Sequence, residues 1–285
     1  MPSATQPATR PVQVVAHRGS SASYPEHTLA AYELAIAEGA DALECDVRLT
    51  RDGVLVCVHD RRVDRTSDGR GPVSTLELAD LAELDFASWK AAAGDAPSGS
   101  SGPEASGEEP DREAGRVLTL EQLLALTLDS SSTSGRPVQL HVETKHPTRY
   151  GGQVEHSLVD LLERYGAARP ASRPDSRVTV MSFASTSLRR LHALAPAVPT
   201  VYLMERVPVR FRDGSLPPQV HAAGPALEVV RRYPHYVRRL QARGHRVHVW
   251  TVDDVADIEH VLSLGVDAVI SNQPRRVLRR LGRLG

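Results

Sequence analysis

The sequence predicts a single α/β domain with the architecture of a (β/α)8 TIM barrel, and three observations lead to this expectation. Apolar runs of strand length alternate about eight times with helical patterns along the 285 residues. No glycine-rich turn of the nucleotide-binding kind is present, which argues against an open doubly wound sheet. Polar and charged residues follow several of the apolar runs, and in such barrels the active site is built from these positions.

The first part of the chain predicts three strands, a helix and an insertion. Strands are expected at 12–16, 41–47 and 54–58, and Pro25 opens a helix that Gly39 ends. Residues 61–117 are interpreted as a flexible insertion after the second strand region, with a short helix at 76–84. Within it, 94–115 consists almost wholly of Gly, Ala, Ser, Pro and acidic residues, which is a loop composition.

Regular alternation resumes after the insertion. Strands are expected at 138–143, 178–182, 200–204, 220–223, 246–252 and 267–270. Helices are expected at 118–128, 154–162, 186–194, 236–242, 255–264 and 274–281. The basic last helix could lie on a membrane surface, but we favour a barrel helix whose arginines complement the helix dipole. The domain assignment is therefore a flexible N-terminus, 1–11, followed by one barrel domain, 12–285.

Composition argues against several classes of partner and location. The formal net charge is −1, so no global field draws the protein to nucleic acid or anionic lipid. Cys45 and Cys57 lie within apolar strands and form no CxxC motif, so both are expected to be buried thiols. Residues 1–10 do not combine a basic segment with an apolar core, so we expect no secretion signal, and no apolar run reaches the length of a membrane span. We therefore expect a cytoplasmic protein without stable membrane insertion.

Two acidic residues on the second predicted strand carry the strongest functional signal. Side chains alternate between the two faces of a strand, so Glu44 and Asp46 point to the same side. Adjacent carboxylates on a buried strand are unfavourable unless a positive group lies between them. Glu143, in a later predicted strand, supplies a third carboxylate. Three oxygen ligands of this kind predict a site for one divalent cation, Mg²⁺ or Ca²⁺.

Two histidines are the candidate acid and base. His17 and His59 each directly follow an apolar strand near the predicted metal site. Imidazole titrates near neutral pH, so one histidine can give a proton while the other takes one. The sequence leaves open which of them plays which part. Most other histidines are expected to be solvated or packed in the core, and His141 is notable because it shares the strand face of Glu143.

Four further residues are candidate substrate contacts. Arg18 suits a bidentate clamp on a phosphate group, and Lys145 adds a second positive contact. Phe183 and Trp250 are candidates for an apolar wall along the carbon skeleton of a substrate, although core packing is the commoner role of such aromatic residues. Together with the acids and the histidines, they predict a metal-assisted hydrolytic site.

The candidate site residues belong to a series of short motifs that follow one another along the chain. The motifs are His17-Arg18-Gly19, Pro25-Glu26-His27-Thr28, Glu44-Cys45-Asp46, His59-Asp60, Glu143-Thr144-Lys145, Ser182-Phe183, Trp250-Thr251-Val252-Asp253 and Gly265-Val266-Asp267-Ala268-Val269-Ile270. The ordered set resembles the glycerophosphodiester phosphodiesterase family over roughly residues 12–280. Each motif alone is a weak signal, but the ordered set is specific.

The resemblance implies a TIM barrel that hydrolyses glycerophosphodiesters to glycerol 3-phosphate and an alcohol. The residues to which it gives roles are His17 and His59 as the acid–base pair, Glu44, Asp46 and Glu143 as ligands of one divalent cation, Arg18 and Lys145 as phosphate contacts, and Glu26 as outer support of the metal site. The implied partner is a small-molecule substrate and not a nucleic acid, and the oligomeric state stays open.

Three departures from the family pattern stand out. His27 stands where the family usually has Asn, and Asp253 stands where Asn is common. Ser271-Asn272 replaces a more usual Thr-Asp pair. None of these changes removes a predicted catalytic group, so they bear on local hydrogen bonding and substrate preference. Residues 94–115 match no family motif.

The residues leave two mechanisms open, and we compared three alternative functions with them. The nucleophile is either water or the glycerol hydroxyl of the substrate, which would give a cyclic phosphate first. A sphingomyelinase D-like lyase would release that cyclic phosphate, although such barrels tend to be secreted and stabilised by disulfides. A non-catalytic barrel that binds a phosphorylated ligand is disfavoured by the intact acids and histidines. A zinc amidohydrolase is disfavoured because no His-x-His motif lies near the first strand.

Overall fold

Eight parallel strands close into a barrel, which confirms the predicted fold class. The structure is a computed structural model that describes residues 11–92 and 115–284. Its strands within these ranges are β1 (Gln13–His17), β2 (Ala42–Leu49), β3 (Leu55–Cys57), β4 (Gln139–Thr144), β5 (Val178–Ser182), β6 (Thr200–Met204), β7 (Ala222–Pro225), β8 (Arg246–Val249) and β9 (Ala268–Ser271). Its helices are α1 (Leu29–Glu38), α2 (Leu78–Ala82), α3 (Ser88–Ala92), α4 (Leu120–Ser134), α5 (Gln153–Arg164), α6 (Ser185–Leu194), α7 (Leu227–Arg232), α8 (Pro234–Ala242), α9 (Val255–Ser263) and α10 (Pro274–Arg280).

The barrel closes because β1 pairs in parallel with both β2 and β9. β3 is the exception among these strands, since it pairs antiparallel with the end of β2, with Val47 opposite Cys57. The predicted strand at 54–58 therefore belongs to a hairpin beside the barrel and is not one of its eight staves. Between β6 and β7 the chain forms only a short 3-10 turn, Val209–Phe211.

The first helix begins later than its sequence pattern suggested. α1 starts at Leu29, because the Thr28 side chain accepts a hydrogen bond from the backbone N–H of Ala31 and caps the helix. Pro25 lies in the preceding turn and not in the helix. Gly39 ends α1 as predicted, in a left-handed conformation with φ of 99°. The sequence reading also missed the short helix α7.

The main core lies between the barrel and its helices. Cys45 and Cys57 are buried in this core as unpaired thiols, as predicted. A second apolar cluster fills part of the barrel interior; its members are Val15, Ala42, Met181, Val201, Leu203, Ala222, Ala268 and Ile270. Val277 and Leu278 of α10 are buried, and α10 packs against β1 and β9. The last helix is therefore part of the barrel.

The described part of the insertion has a small apolar core of its own. Val63, Val73, Leu81 and Phe86 pack together with Val56 of β3. The predicted low-complexity loop lies outside the described residues except for Gly115, and so do residues 1–10 of the predicted N-terminal segment. In the part of the chain that the structure describes, no helix is both long and apolar enough to cross a membrane.

Candidate active site

The register of three neighbouring strands brings the predicted site together at the carboxyl ends of the barrel strands. Pairing of β1 with β2 places His17 opposite Glu44, and pairing of β2 with β4 places Asp46 opposite Glu143. One oxygen each of Glu44, Asp46 and Glu143 lies within 4.8 Å of the others. The three carboxylates that sequence reasoning selected therefore converge on one point.

Burial makes this group of acids electrostatically costly. The exposed fractions are 1% for Glu44, 0% for Asp46 and 7% for Glu143. Burial and the charge of Asp46 raise the pKa of Glu44 well above its usual range and that of Glu143 to about 8. Burial would also raise the pKa of Asp46, but the ammonium of Lys145 and the guanidinium of Arg18 lower it well below its usual range.

The same three residues fit a divalent cation. The Oε1 atom of Glu44 is buried and has no hydrogen-bond partner among the described residues. A buried carboxylate oxygen without a partner is unfavourable, and a cation beside it would remove the cost. All three ligands are oxygens, which suits Mg²⁺ or Ca²⁺ better than zinc.

Both predicted phosphate contacts lie next to the acids. The Nζ atom of Lys145 lies 2.8 Å from Oδ1 of Asp46 and 2.6 Å from Oε1 of Glu143. The Nε atom of Arg18 lies 2.9 Å from Oδ2 of Asp46, and its backbone N–H donates to Oε2 of Glu44 at 3.1 Å. Gly19 follows with φ of 82°, and a Cβ there would lie 2.6 Å from the backbone of Ala31. Glycine thus lets the loop after β1 pack on α1.

His17 is held by a side chain from the far end of the chain. Its Nδ1 atom lies 2.7 Å from Oδ1 of Asn272, just after β9, and its Nε2 atom lies 3.9 Å from Oε2 of Glu44. Burial lowers the pKa of His17 to about 3, so the imidazole is neutral at physiological pH. Neutral imidazole with one nitrogen bound to an amide oxygen leaves the other nitrogen as a proton acceptor.

His59 has a different partner. Its Nδ1 atom lies 2.6 Å from Oδ1 of Asp60, and its backbone carbonyl accepts from Nε and Nη2 of Arg48 at 3.0 and 2.7 Å. Burial lowers the pKa of His59, while the neighbouring carboxylate of Asp60 stabilises its charged form. His59 thus has a carboxylate to support an imidazolium, and His17 has an amide.

A chain of ion pairs links the two halves of the site. Asp60 accepts from Nε of Arg65 at 2.7 Å, and Arg65 donates two hydrogen bonds to Glu26 at 2.9 and 2.7 Å. Glu26 also accepts from Nη1 of Arg18 at 3.1 Å. Burial would raise the pKa of Glu26, but the hydrogen bonds from Arg65 and the charge of Arg18 lower it to about 2. Glu26 therefore stays ionised and fixes both arginines.

The rest of the cavity is apolar on one side. A cavity of about 420 Å³ is lined by His17, His59, Glu44 and Glu143, and Phe183 and Trp250 line its other side. The two rings meet edge to face with centroids 5.4 Å apart, and Trp250 Nε1 donates to the carbonyl of Gly224 at 2.7 Å. Both aromatic side chains thus lie where a substrate's carbon skeleton could pack on them.

Comparison with known proteins agrees with this geometry. The model of the glycerophosphoryl diester phosphodiesterase family matches residues 17–276. The chain belongs to this family. A protein of Mycobacterium tuberculosis named "Probable glycerophosphodiester phosphodiesterase 1" is 48% identical over 92% of this chain and 90% of its own length. A glycerophosphodiester phosphodiesterase of Bacillus subtilis is 33% identical over 92% of this chain and 84% of its own.

A solved structure shows the same fold. A phosphodiesterase of Oleispira antarctica, in complex with the product sn-glycerol-3-phosphate, has a TM-score of 0.75 and 25% identity, with coverage of 95% of this chain and 96% of that one. Family membership and these relatives confirm the predicted enzyme class, glycerophosphodiester phosphodiesterase, over a barrel that only binds a ligand.

One departure from the phosphodiesterase pattern lies directly against the acids. His27 has φ of 64°, a left-handed conformation that Asn adopts readily. Its Nε2 atom lies 3.0 Å from Oδ2 of Asp46 and its Nδ1 atom 2.8 Å from the hydroxyl of Tyr32. That hydroxyl donates to the backbone carbonyl of Glu44 at 3.1 Å. The imidazole therefore braces the strand that carries two of the acids.

His141 does not join the active site. It is buried inside the barrel and stacks on His248 with ring centroids 5.6 Å apart. The sequence reading assigned no role to several residues that contact the phosphodiesterase site directly: Arg48, Asp60, Arg65 and Asn272. The sequence contains a signal for two of them. Asp60 directly follows His59 in its motif, and Arg48 lies two residues after Asp46 on β2, so that both side chains point to the same face.

Proposed function

We propose that the chain hydrolyses glycerophosphodiesters to glycerol 3-phosphate and an alcohol, in a metal-dependent reaction with His17 and His59 as base and acid. The observation that carries the proposal is the convergence of three buried carboxylates between two imidazoles with different partners. The product bound to the related Oleispira antarctica enzyme supports the substrate class.

Charge neutralisation is the first requirement for a phosphodiester in this site. A divalent cation held by Glu44, Asp46 and Glu143 would polarise the phosphate and offset the negative charge that develops on it. Arg18 and Lys145 already lie beside Asp46 and present N–H donors at the same place. We assign to them the remaining phosphate oxygens, because guanidinium and ammonium groups are strong donors to such anions.

The different hydrogen-bond partners of the two histidines indicate which of them accepts a proton and which donates one. Asn272 offers His17 only a neutral oxygen, so His17 begins neutral and its Nε2 atom accepts the proton of the nucleophile. Asp60 lies 2.6 Å from His59 and stabilises the charged form of its imidazole, so we assign to His59 the proton transfer to the departing alcohol. The nucleophile is water or the glycerol hydroxyl of the substrate.

The apolar side of the cavity selects the organic part of the substrate. Phe183 and Trp250 offer contact area to its carbon skeleton, and the indole is fixed by its bond to Gly224. Mg²⁺ and Ca²⁺ both suit the oxygen ligands. A cytoplasmic location fits the two unpaired cysteines, Cys45 and Cys57.

A turnover assay tests the proposal. Glycerophosphocholine, glycerophosphoethanolamine and glycerophosphoglycerol are each incubated with the protein, with EDTA, and with EDTA followed by Mg²⁺ or Ca²⁺, and products are identified by phosphorus NMR. We expect glycerol 3-phosphate, loss of turnover with EDTA, and recovery when metal is added back. A cyclic phosphate as the final product would favour the lyase, and full activity in EDTA would remove the metal from the mechanism.

A further inference from the structure

A second cavity, with a different character, adjoins the active site. It has a volume of about 230 Å³ and lies between the end of β2, the start of the insertion and the loop from β4 to α5. Four basic side chains line it, namely Arg48, Arg61, Lys145 and Arg149. None of the described residues that line it is acidic. We refer to it as the basic cavity.

Two residues connect the basic cavity to the catalytic centre. Lys145 lines both cavities. Arg48 lies two residues beyond Asp46 on β2, so its side chain points to the same face about 7 Å further along the strand. Arg48 also donates two hydrogen bonds to the carbonyl of His59, the proposed acid. The basic cavity therefore lies on the side from which the alcohol departs.

The start of α5 adds to the positive potential. Val154, in the first turn of this 12-residue helix, lines the basic cavity, and Gly152 at its N-cap offers no capping side chain. The N-terminal end of a helix carries a partial positive charge and unsatisfied N–H groups. Glu155 in the same turn is buried, does not line the basic cavity and is paired with His146 and Arg190, so the helix end and the arginines favour the same sign of ligand.

Hydrogen bonds within the protein join the walls of the basic cavity. The Tyr150 hydroxyl donates to the carbonyl of Ser74 at 2.6 Å, which joins the loop before α5 to the insertion. The backbone N–H of Tyr150 donates to the hydroxyl of Thr148 at 3.0 Å. Because these bonds hold both sides in place, binding here requires little ordering of the chain.

Two of the four basic side chains of the basic cavity lack a carboxylate partner among the described residues, whereas Lys145 is paired with Asp46 and Glu143. Arg61 and Arg149 are exposed and have no carboxylate partner among residues 11–92 and 115–284. A bound anion would offset the charges of Arg61 and Arg149. The volume is smaller than that of a drug-sized ligand site, so it suits a compact group.

We propose that the basic cavity is a second anion subsite, which binds a phosphate group carried by the departing alcohol. The preferred substrates are then glycerophosphodiesters whose alcohol bears a second phosphate at about the distance of one glycerol unit. This inference rests on the proposed function, because it places the scissile phosphate at the acids and the departing alcohol beside His59.

Two substrates that differ only in the second phosphate test the proposal. Glycerophosphoglycerol and its terminally phosphorylated form are compared by kcat/KM with the metal-loaded wild-type protein. We expect the phosphorylated substrate to have a kcat/KM about tenfold to a hundredfold higher, mainly through a lower KM, because hydrogen bonds to charged groups contribute that much. The preference should shrink at high salt, since Arg61 and Arg149 are exposed to solvent.

Variants of the exposed arginines locate the effect. Arg61→Ala combined with Arg149→Ala should remove the preference and leave the kcat/KM of glycerophosphoglycerol unchanged. Arg149→Glu should make the phosphorylated substrate the poorer one. Arg238→Ala, which removes an exposed arginine of α8 outside the basic cavity, is the matched control and should keep the wild-type preference.

The outcomes separate this inference from the proposed function. Equal kcat/KM for the two substrates in the wild-type protein would overturn the subsite while leaving the phosphodiesterase activity established. An equal loss for both substrates in the double variant would overturn it as well, since the arginines would then serve the catalytic centre. No turnover of either substrate by the metal-loaded protein would refute the proposed function itself.

Discussion

The Nδ1 atom of His17 lies 2.7 Å from Oδ1 of Asn272, and this bond determines which nitrogen of His17 carries the proton. The Asn272 amide nitrogen donates to Oδ2 of Asp253 at 2.7 Å. A carboxylate only accepts, so the amide must turn its oxygen toward His17. His17 therefore donates from Nδ1, and its Nε2 atom is the free acceptor that faces the acids.

The hydrogen bond between Asp253 and Asn272 leads to a prediction for variants in which the amide and the carboxylate change places. Asn272→Asp alone would place two carboxylates side by side, so we expect kcat/KM to fall about tenfold to a hundredfold as His17 shifts. Asp253→Asn combined with Asn272→Asp restores one donor and one carboxylate, in the order usual for the family. Steady-state kinetics should show that the double variant recovers most of the lost activity. A double variant as poor as Asn272→Asp would contradict this account.

Removal of either imidazole should lower turnover severely without unfolding the protein. His17→Ala and His59→Ala are each expected to lower kcat about 10²-fold to 10⁴-fold, the usual contribution of general acid–base catalysis. Circular dichroism should show an unchanged fold. Near-normal turnover in both variants would disprove the assignment of the acid and the base.

The bond between Asp60 and His59 leads to a separate prediction. Asp60→Asn leaves the imidazole without a carboxylate to stabilise its charged form, so kcat should fall about tenfold to a hundredfold. Asp64→Asn is the matched control, because Asp64 is an exposed acid of the same loop that pairs with Arg62. The kcat of Asp64→Asn should equal that of the wild-type protein. Equal losses of kcat in both variants would show that the effect comes from the loop and not from the contact between His59 and Asp60.

Side-chain alternation along a single strand was enough to predict that Glu44 and Asp46 lie side by side. Glu44 and Asp46 lie on one face whatever the rest of the fold does, and barrel topology places Glu143 beside them. The partners of the two histidines required the folded chain. Asn272 is 255 residues from His17, and Arg65 is 39 residues from Glu26. No local pattern reports contacts of that separation.

Errors in the predicted elements have similar physical causes. A strand of the hairpin type has the same apolar run as a barrel strand, and only the direction of its pairing with β2 shows that β3 lies outside the barrel. The start of α1 depended on a choice between Pro25 and Thr28. Both residues are common at helix starts, and the capping bond of Thr28 decided it.

Metal binding should be measurable as stability without any substrate. At a hundredfold excess over its Kd, a divalent cation should raise the free energy of unfolding by about 2.7 kcal/mol. Glu44→Gln should lose this increment, while its metal-free form is as stable as the wild-type protein or more so, because burial and the charge of Asp46 disfavour the carboxylate that the substitution replaces. Thermal melts with EDTA, Mg²⁺ or Ca²⁺ check this, with Glu121→Gln, an exposed acid, as the control. Equal metal-induced shifts in all three proteins would refute the site.

Low pH should destabilise the protein through His221, which lies far from Glu44, Asp46 and Glu143. Its Nδ1 atom accepts the backbone N–H of Thr200 at 3.1 Å, and burial, aided by Arg173 and His192, lowers its pKa to about 4. As the pH falls below about 6.5 the unfolded chain binds a proton that the folded chain refuses, so stability decreases until about pH 4.

We expect this group to contribute a loss of about 1–2 kcal/mol between pH 7 and pH 4, a value reduced for its partial exposure. His221→Asn keeps an acceptor near the position of Nδ1 but does not titrate, so its unfolding free energy should depend less on pH. Urea unfolding at several pH values measures the difference, and His235→Gln, which changes an exposed histidine, is the control. If the pH dependence of His221→Asn matches that of the wild-type protein, the destabilisation by acid must come from other groups.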